Sequence, residues 1–515
     1  MGHLQRFIAV GILELTTLYK EYLLSPDNAL SDIHISGGTS AIHSTCVPAN
    51  DVPAQGKVQA ALQFVPVRPF LWAVGFLCAL WAFLQLGAGV GVHNDFTQNV
   101  WLPARLLMEG ADPYNPTAAQ TATALGPYSA QFTGFNSGHS FYSIYPIWVA
   151  LLLSPFATMP LIIATAVWRA ADLLLLMWSV GSLLRSTNPV FASGKAVAVM
   201  ALSVILFLSF FYRATILTFY VGQFAIFELA LLAAIWSWLL SSPGKSWRKL
   251  MLGDVLAGLA LAILATKPQA VGLPVLLLVL WAVSRRRWTV PLSAAISGCL
   301  LLFGPLLFYP GSLSGWLSTV FGAHAQASSQ AYVSASVWGV SYQLLGKHGP
   351  WVAAATLLSV AGVLALLPSW WRDLKDRTAP IPLSLPLTVC VNSVISPYML
   401  GYEHVLLLFP ALVLLATAGL PVSQVGSSKE AKGRARWRQS IYIWLAVLPL
   451  LVGAVQGTVD KEFPAILQSL PMLALCCVAS LRWRKRLAEE TGTLGARMNS
   501  ESSEHLLYGT TRVGA

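Results

Sequence analysis

A single carboxylate stands where a long uncharged segment ends. Asp95 lies in the string Val92-His93-Asn94-Asp95-Phe96, and residues 69–94 contain no Asp, Glu, Lys or Arg. An acid at the boundary between bilayer and water can stay ionised and still reach a lipid headgroup. Such a carboxylate can take a proton from a hydroxyl as a general base. The alternative is an interfacial Asp that only caps a helix.

Four other side chains are candidates for binding an anion such as phosphate, which needs positive charge or hydrogen-bond donors. Lys267 interrupts a long apolar run, and a charge inside the membrane is a functional hypothesis by default, although a lysine can also extend to the interface. His404 either donates to a phosphate, helps to hold Asp95, or is a hydrogen-bonded structural histidine. Arg105 and His324 lie in two polar loops, and for Arg105 a solvated face is an equal explanation.

The amino-acid composition indicates whether the chain folds in water or in a membrane. Of the 515 residues, 56% are hydrophobic and 10% charged, whereas soluble globular domains have about 25% charged residues. Many uncharged windows reach the roughly 20 residues that a helix needs to cross a bilayer. The sequence therefore predicts an all-α polytopic membrane protein of the cell (inner or plasma) membrane, with membrane lipids as its surroundings and no nucleic acid partner.

About 12–13 apolar helical segments are predicted along the chain. They lie near 70–92, 144–160, 162–184, 196–212, 216–240, 252–266, 268–284, 289–309, 350–368, 381–398, 404–420, 440–457 and 463–481. They form a transmembrane domain over 70–485, between an N-terminal cytoplasmic or interfacial extension (1–69) and a cytoplasmic tail (486–515). Helix parity between Asp95 and Arg185 is inconsistent, so either 144–160 or 162–184 fails to cross fully, or the basic bias is weak there.

Basic loops between the segments indicate the cytoplasmic side under the positive-inside rule, for example Arg285-Arg286-Arg287. By alternation, the long loops 93–143 and 310–349 are predicted to be extracytoplasmic. The first carries Trp101, Arg105 and Met108 at helical spacing, which favours a short helix lying on the surface. Loops of this length are usually functional or disordered.

Five motifs in this order resemble a known family. They are Asp95 with the string Ala104-Arg105-Leu106-Leu107-Met108-Glu109-Gly110-Ala111-Asp112-Pro113-Tyr114, then Tyr145-Pro146, Val221-Gly222-Gln223, Ala265-Thr266-Lys267-Pro268-Gln269, and Ser396-Pro397-Tyr398 with His404. Over residues 70–420 the chain resembles the polyprenol-phosphate-mannose-dependent α-mannosyltransferases of bacteria, which are integral-membrane glycosyltransferases of the GT-C fold. It departs from them at Ile147, where the family often has a second proline, and in a thinner aromatic-histidine cluster before His404.

The resemblance implies an enzyme that transfers a hexose, mannose in the family, from a polyprenyl-phosphate sugar donor to a glycolipid or glycan acceptor on the extracytoplasmic face. It implies Asp95 as the catalytic base, with inversion at the anomeric carbon. Residues suited to the sugar or the lipid groove are Asn94, Tyr145, Gln223 and Tyr398. Glu109 is a weaker competitor for the base, and Asp112 has the pattern of a turn cap.

No cofactor and no metal are expected, because the His and acidic residues lack ligand spacing. A polytopic transporter or flippase of lipid-linked or small solutes is the alternative function. Transporters tend to show internal repeats and broken helices, and no convincing repeat occurs in this sequence. The sequence leaves the acceptor, the linkage and the oligomeric state open.

Overall fold

The computed structural model describes residues 95–131, 145–187, 205–206, 209, 212–240, 247–327, 334–346, 348–376, 379–397 and 399–418. The predicted extension 1–69, the first apolar segment 70–92, the segments at 440–457 and 463–481, and the tail 486–515 lie outside these ranges. Within them the secondary structure is helical and contains no strand. The predicted all-α class holds for this part of the chain.

The helices are numbered here in chain order. They are α1 (Leu102–Met108), α2 (Ala118–Leu125), α3 (Ile147–Leu152), α4 (Ser154–Ala157), α5 (Leu161–Thr187), α6 (Arg213–Val221), α7 (Ala225–Leu240), α8 (Trp247–Leu264), α9 (Pro268–Ser284), α10 (Thr289–Phe303), α11 (Ser312–Ala327), α12 (Val337–Leu345), α13 (Trp351–Lys375), α14 (Leu385–Ile395) and α15 (Leu408–Ala418). A π-helical turn, Thr97–Trp101, precedes α1, and 3-10 turns occupy Gly126–Gln131, Gly304–Leu307 and Glu403–Leu407.

Three described helices are long and apolar enough to cross a membrane: α5, α10 with its 3-10 extension, and α13. A fourth candidate is the pair α6 and α7, which bends by 119°. Large apolar side chains on these helices remain exposed, for example Leu300 at 67% and Leu357 at 71%. Contiguous apolar faces of this kind suit a lipid environment better than water. The fold is therefore that of a helical membrane protein.

The predicted segment 144–160 is not one helix. It contains α3, with 6 residues, and α4, with 4 residues. At 1.5 Å per residue α3 is roughly 9 Å long, too short for a bilayer core of about 30 Å. Pro146 and Pro155 each stand next to a helix start, where proline is tolerated, but proline breaks a continuing helix. Of the two segments in question, 144–160 is the one that does not form a full span, whereas α5 has 27 residues.

The predicted segment 216–240 also contains a break, since α6 ends at Val221 and α7 begins at Ala225. Gly222 closes α6 with a φ of +73°, in the left-handed region that favours glycine. The bend places Gln223 in the turn between the two helices. Similarly, Pro268 starts α9 just after α8 has ended, which leaves Lys267 at the junction of two helices.

The main core packs α7 against α5 and α8, and α9 against α14. Its buried side chains include Trp236, Trp281 and Phe409. A second cluster joins the first long loop to α5 through Phe96, Trp101 and Trp168. Both long loops contain helices: α1 and α2 lie in the first, and α11 and α12 in the second. α1 buries Leu102 and Leu106 and leaves Met108 half exposed, so this short helix has one buried and one exposed face.

Close packing of α8 on α10 gives a test of this core. A Cβ added to Gly258 would overlap Ser293 Oγ and the Val290 carbonyl oxygen. We expect Gly258→Ala to lower the free energy of unfolding by about 1–3 kcal/mol, the usual effect of overpacking. The matched control is Gly253→Ala on the same helix, where an added Cβ meets nothing within 4 Å. The readout is the Tm of the purified protein in detergent, and equal Tm values for the two variants would contradict this packing.

Candidate functional site

Asp95 sits in the first described turn, and its neighbour anchors it. Phe96 is fully buried, with its ring stacked on Trp168 at 5.2 Å between centroids. On another side Gly222 approaches so closely that an added Cβ would lie 2.6 Å from Phe96 Cβ. Asp95 itself remains partly exposed. The packing of Phe96 therefore fixes the backbone next to this carboxylate.

The surroundings of Asp95 favour a base that works near neutral pH. Burial raises the pKa of the Asp95 carboxyl to about 6, although Lys267 and a hydrogen bond from the Tyr402 hydroxyl act to lower it. Glu403 adds a smaller effect that raises the pKa. A general base is most effective when its pKa lies close to the working pH. This carboxyl is therefore ionised at neutral pH and remains a stronger base than an ordinary aspartate.

Lys267 lies in the middle of a buried polar network. Its Nζ is 2.7 Å from Glu403 Oε1 and 3.8 Å from Glu228 Oε1, and the side chains of all three residues are nearly inaccessible. The same Nζ donates a hydrogen bond to Gln223 Oε1 at 3.4 Å and lies 5.6 Å from the centre of the Tyr402 ring. Lys267 therefore does not extend to the interface; it is a buried cation held between carboxylates.

Tyr145 and Gln223 join this network from two other elements. The Tyr145 hydroxyl donates to Gln223 Oε1 at 2.9 Å, and the Tyr114 hydroxyl donates to the Tyr145 carbonyl at 2.9 Å. Burial raises the pKa of the Tyr145 phenol, which keeps it protonated as a donor. We call the following set the Lys267 network: Asp95, Tyr145, Gln223, Glu228, Lys267, Tyr402 and Glu403.

The structure brings three of the predicted site residues into contact with one another: Tyr145, Gln223 and Lys267. Asp95 is far from them in the sequence, but Lys267 and Tyr402 both lower the pKa of its carboxyl. Residues from the first loop, the α6–α7 turn, the α8–α9 junction and the segment after α14 contribute to one site.

Other predicted site residues lie elsewhere or cannot be placed. Arg105 forms a 2.8 Å ion pair with Glu109 and donates to the Ala157 carbonyl, so its contacts are not with the Lys267 network. His404 is fully buried, and its ring lies against the backbone of Ala335. Asn94 and Tyr398 lie outside the described residues, as does the side chain of His324, whose backbone belongs to α11.

Sequence reasoning missed Glu403, Glu228 and Tyr402. Glu228 stands in an apolar segment, where an acid is a functional hypothesis by default, and that signal was available. Glu403 and Tyr402 adjoin the motif residue His404, but only the fold reveals that they turn towards Lys267. Asp112 behaves as predicted: its Oδ1 accepts a hydrogen bond from Tyr114 N at 2.9 Å, which is a turn cap.

Within the part of the chain that the structure describes, no group of three or more His, Cys, Asp or Glu side chains could hold a metal ion. The charges of the site are instead carboxylates around one lysine. A carboxylate with a raised pKa beside a buried ion pair marks a candidate functional site.

Comparison with known families identifies the reaction class. Residues 143–397 match the model of glycosyltransferase family 87. The chain is therefore a glycosyltransferase, which favours the enzyme over the alternative of a transporter or flippase. No curated protein and no solved structure gives a significant match. The matched residues include Tyr145, Gln223, Glu228 and Lys267, whereas Asp95, Tyr402 and Glu403 flank them.

Proposed function

We propose that this glycosyltransferase transfers a hexose, mannose in the first instance, from a polyprenyl-phosphate sugar to a glycolipid or glycan acceptor on the extracytoplasmic face of the membrane. Three observations support this proposal: the glycosyltransferase family 87 match, the apolar helices around the site, and the resemblance of the five motifs. The observation on which it mainly rests is the raised pKa of the Asp95 carboxyl, together with its place in the Lys267 network.

A sugar on a lipid phosphate already carries its leaving group. The enzyme must take a proton from the acceptor hydroxyl, place that oxygen in line behind the anomeric carbon, and stabilise the departing phosphate. In our proposal Asp95 takes the proton, the new glycosidic bond forms as the bond to phosphate breaks, and the anomeric configuration inverts. A retaining reaction would need a second carboxylate as nucleophile. Glu228 and Glu403 are buried against Lys267, which favours the single displacement.

The remaining roles follow from what each side chain can offer. Tyr145 and Gln223, together with Asn94 and Tyr398, are proposed to bind sugar hydroxyls. Arg105 is the more accessible cation for the lipid phosphate, since its side chain is 38% exposed. His324 is proposed as an additional phosphate donor, whereas His404 is fully buried and is given no contact with the donor. Lys267 would approach a phosphate only while still paired with Glu403, so its contribution to donor binding is expected to be electrostatic.

The pH dependence of the reaction tests the base. Because the Asp95 carboxyl must be ionised and its pKa is about 6, kcat/KM should fall as the pH drops below that value. With a single group the fall is about tenfold per pH unit. The assay follows purified protein with polyprenyl-phosphate-mannose labelled in the sugar and a total lipid extract as acceptor. A rate that stays constant down to about pH 5 would remove the assignment.

The stereochemistry of the product tests the displacement. We expect the new linkage to have the anomeric configuration opposite to that of the donor, because one in-line step inverts the carbon. NMR of the isolated product reads the configuration directly. Retention would contradict a single base and would require a covalent sugar on one of the carboxylates.

A further inference from the structure

We propose that Glu403 and Lys267 form a buried counter-charge pair that holds the Asp95 carboxylate in place and tunes its basicity through Tyr402. Glu403 is then a positioning residue, which acts on the base without touching substrate. The inference deepens the proposed function and rests on Asp95 being its base. It names two residues, Glu403 and Tyr402, that the five sequence motifs did not assign.

The contacts form a continuous chain from Glu403 to Asp95. Glu403 Oε1 and Lys267 Nζ are 2.7 Å apart, and Lys267 Nζ lies 5.6 Å from the centre of the Tyr402 ring. Tyr402 in turn acts on the Asp95 carboxylate, whose pKa its hydroxyl lowers. Each link joins groups of complementary charge or polarity, and the Glu403–Lys267 pair lies in the low-dielectric interior, where such interactions are strong.

The segment that carries Tyr402 and Glu403 is itself held in two places. Leu400 N donates to Glu403 Oε2 at 2.9 Å, which orients the carboxylate so that its other oxygen faces Lys267. Thr218 Oγ1, on α6, donates to the Tyr402 carbonyl at 2.9 Å. A side chain whose geometry is fixed by surrounding hydrogen bonds can hold a reacting group in place. The same helix, α6, ends at Gly222 against Phe96, next to Asp95.

The charges around Asp95 act in opposite directions. Lys267, from the α8–α9 junction, favours the ionised carboxylate, as does the Tyr402 hydroxyl. Glu403 opposes ionisation directly and also competes for the charge of Lys267. Glu228, from α7, shares the same ammonium at 3.8 Å, and the neutral Tyr145 phenol faces it from the segment before α3. The basicity of Asp95 therefore depends on how one positive charge is divided among three carboxylates.

Stability alone is a weak explanation for this pair. Removing two charges from water is costly, and replacing a buried ion pair by apolar residues of similar volume is often neutral or stabilising. By contrast, a nearby opposite charge favours the ionised form of a carboxyl and lowers its pKa. The position of the pair, one tyrosine away from Asp95, fits control of the base better than packing.

Infrared titration of the carboxyl groups tests this without any substrate. The full-length protein is titrated in detergent, and the band that Asp95→Asn removes reports the protonation of Asp95. Lys267→Met takes away the cation, so the midpoint should move to higher pH by about one unit or more. Glu403→Gln leaves Lys267 charged beside Glu228, so the midpoint should move to lower pH. A packing role would not move the midpoint in opposite directions.

A double variant and a control complete the design. Glu403→Gln combined with Lys267→Met removes both charges together, and its midpoint should lie between those of the single variants. It also supplies a folded sample if a single unpaired charge prevents folding. Asp254→Asn is the control, since it breaks another buried carboxylate–cation pair, with Arg287, away from Asp95. We expect it to leave the midpoint unchanged.

The outcomes separate this inference from the proposed function. Equal midpoints for wild type, both single variants and the double variant would overturn the inference, as would shifts in one common direction or the absence of any band that depends on Asp95. Sugar transfer that persists in Asp95→Asn would overturn the proposed function and leave the infrared midpoints as they are. Where transfer is measured, the acid limb of kcat/KM should move with the infrared midpoint in each variant.

Discussion

Asp95→Asn should abolish sugar transfer while the protein still folds and inserts. A general base contributes about 10²–10⁴-fold to a rate, and asparagine keeps the size of the side chain but cannot accept the proton. Because burial already raises the pKa of the Asp95 carboxyl, its loss removes a charged group that the fold does not favour. We therefore expect no loss of Tm. The measurement is turnover of polyprenyl-phosphate-mannose by purified protein, with Tm as the check on folding.

The same loop supplies a matched control for that variant. Asp112→Asn makes the same chemical change 17 residues further along the chain. Asp112 accepts a hydrogen bond from Tyr114 N, and an asparagine side chain can accept the same bond. Turnover in Asp112→Asn should stay close to wild type. If Asp95→Asn kept wild-type turnover and Asp112→Asn lost it, the base would be assigned to the wrong acid.

Gly222→Ala should reduce turnover by roughly 10²-fold although it touches no substrate, since small misplacements of reacting groups cost about that much. The added Cβ would lie 2.6 Å from Phe96 Cβ, and Phe96 is the neighbour of Asp95. Phe96 cannot retreat easily because Trp168 stacks on its other side. The displacement should pass to the Asp95 carboxyl. We expect kcat to fall more than the apparent donor KM rises.

Gly110→Ala separates displacement from backbone strain. Gly110 also has a positive φ, +76°, but an added Cβ there meets nothing within 4 Å. Both variants place alanine in the left-handed region, which costs about 1–2 kcal/mol. Only Gly222→Ala pushes on the base. Equal losses of kcat in the two variants would mean that strain, and not the position of Asp95, explains the effect.

Much of the membrane character follows from the sequence alone, because apolar length is a local property. α5, α10 and α13 all lie where apolar segments predict spans. The breaks were harder to predict. In 144–160 the prolines flank short helices, and in 216–240 a single Gly222 with positive φ bends the helix by 119°. A hydropathy window averages over such residues and cannot register them.

Some residues of the site could likewise be predicted from the sequence, and others could not. Asp95 could be singled out because it ends an uncharged segment, and Lys267 because it interrupts an apolar run. Gln223 belongs to one of the five motifs. The partners of Lys267 could not, since Glu403 and Glu228 are far apart in sequence and meet only through tertiary packing. Phosphate binding by Lys267 was the sequence-based hypothesis. In the structure Lys267 is paired with two carboxylates, and its charge lowers the pKa of Asp95. The spacing of residues in the sequence does not predict this effect.

The most direct test of the account is a structure of the full-length protein with a non-reactive polyprenyl-phosphate-sugar analogue and an acceptor mimic bound. In that structure the Asp95 carboxylate should lie within hydrogen-bond reach of the acceptor hydroxyl, on the face of the sugar opposite the phosphate. A ligand bound with Asp95 beside the phosphate, or walled off from the sugar altogether, would contradict it.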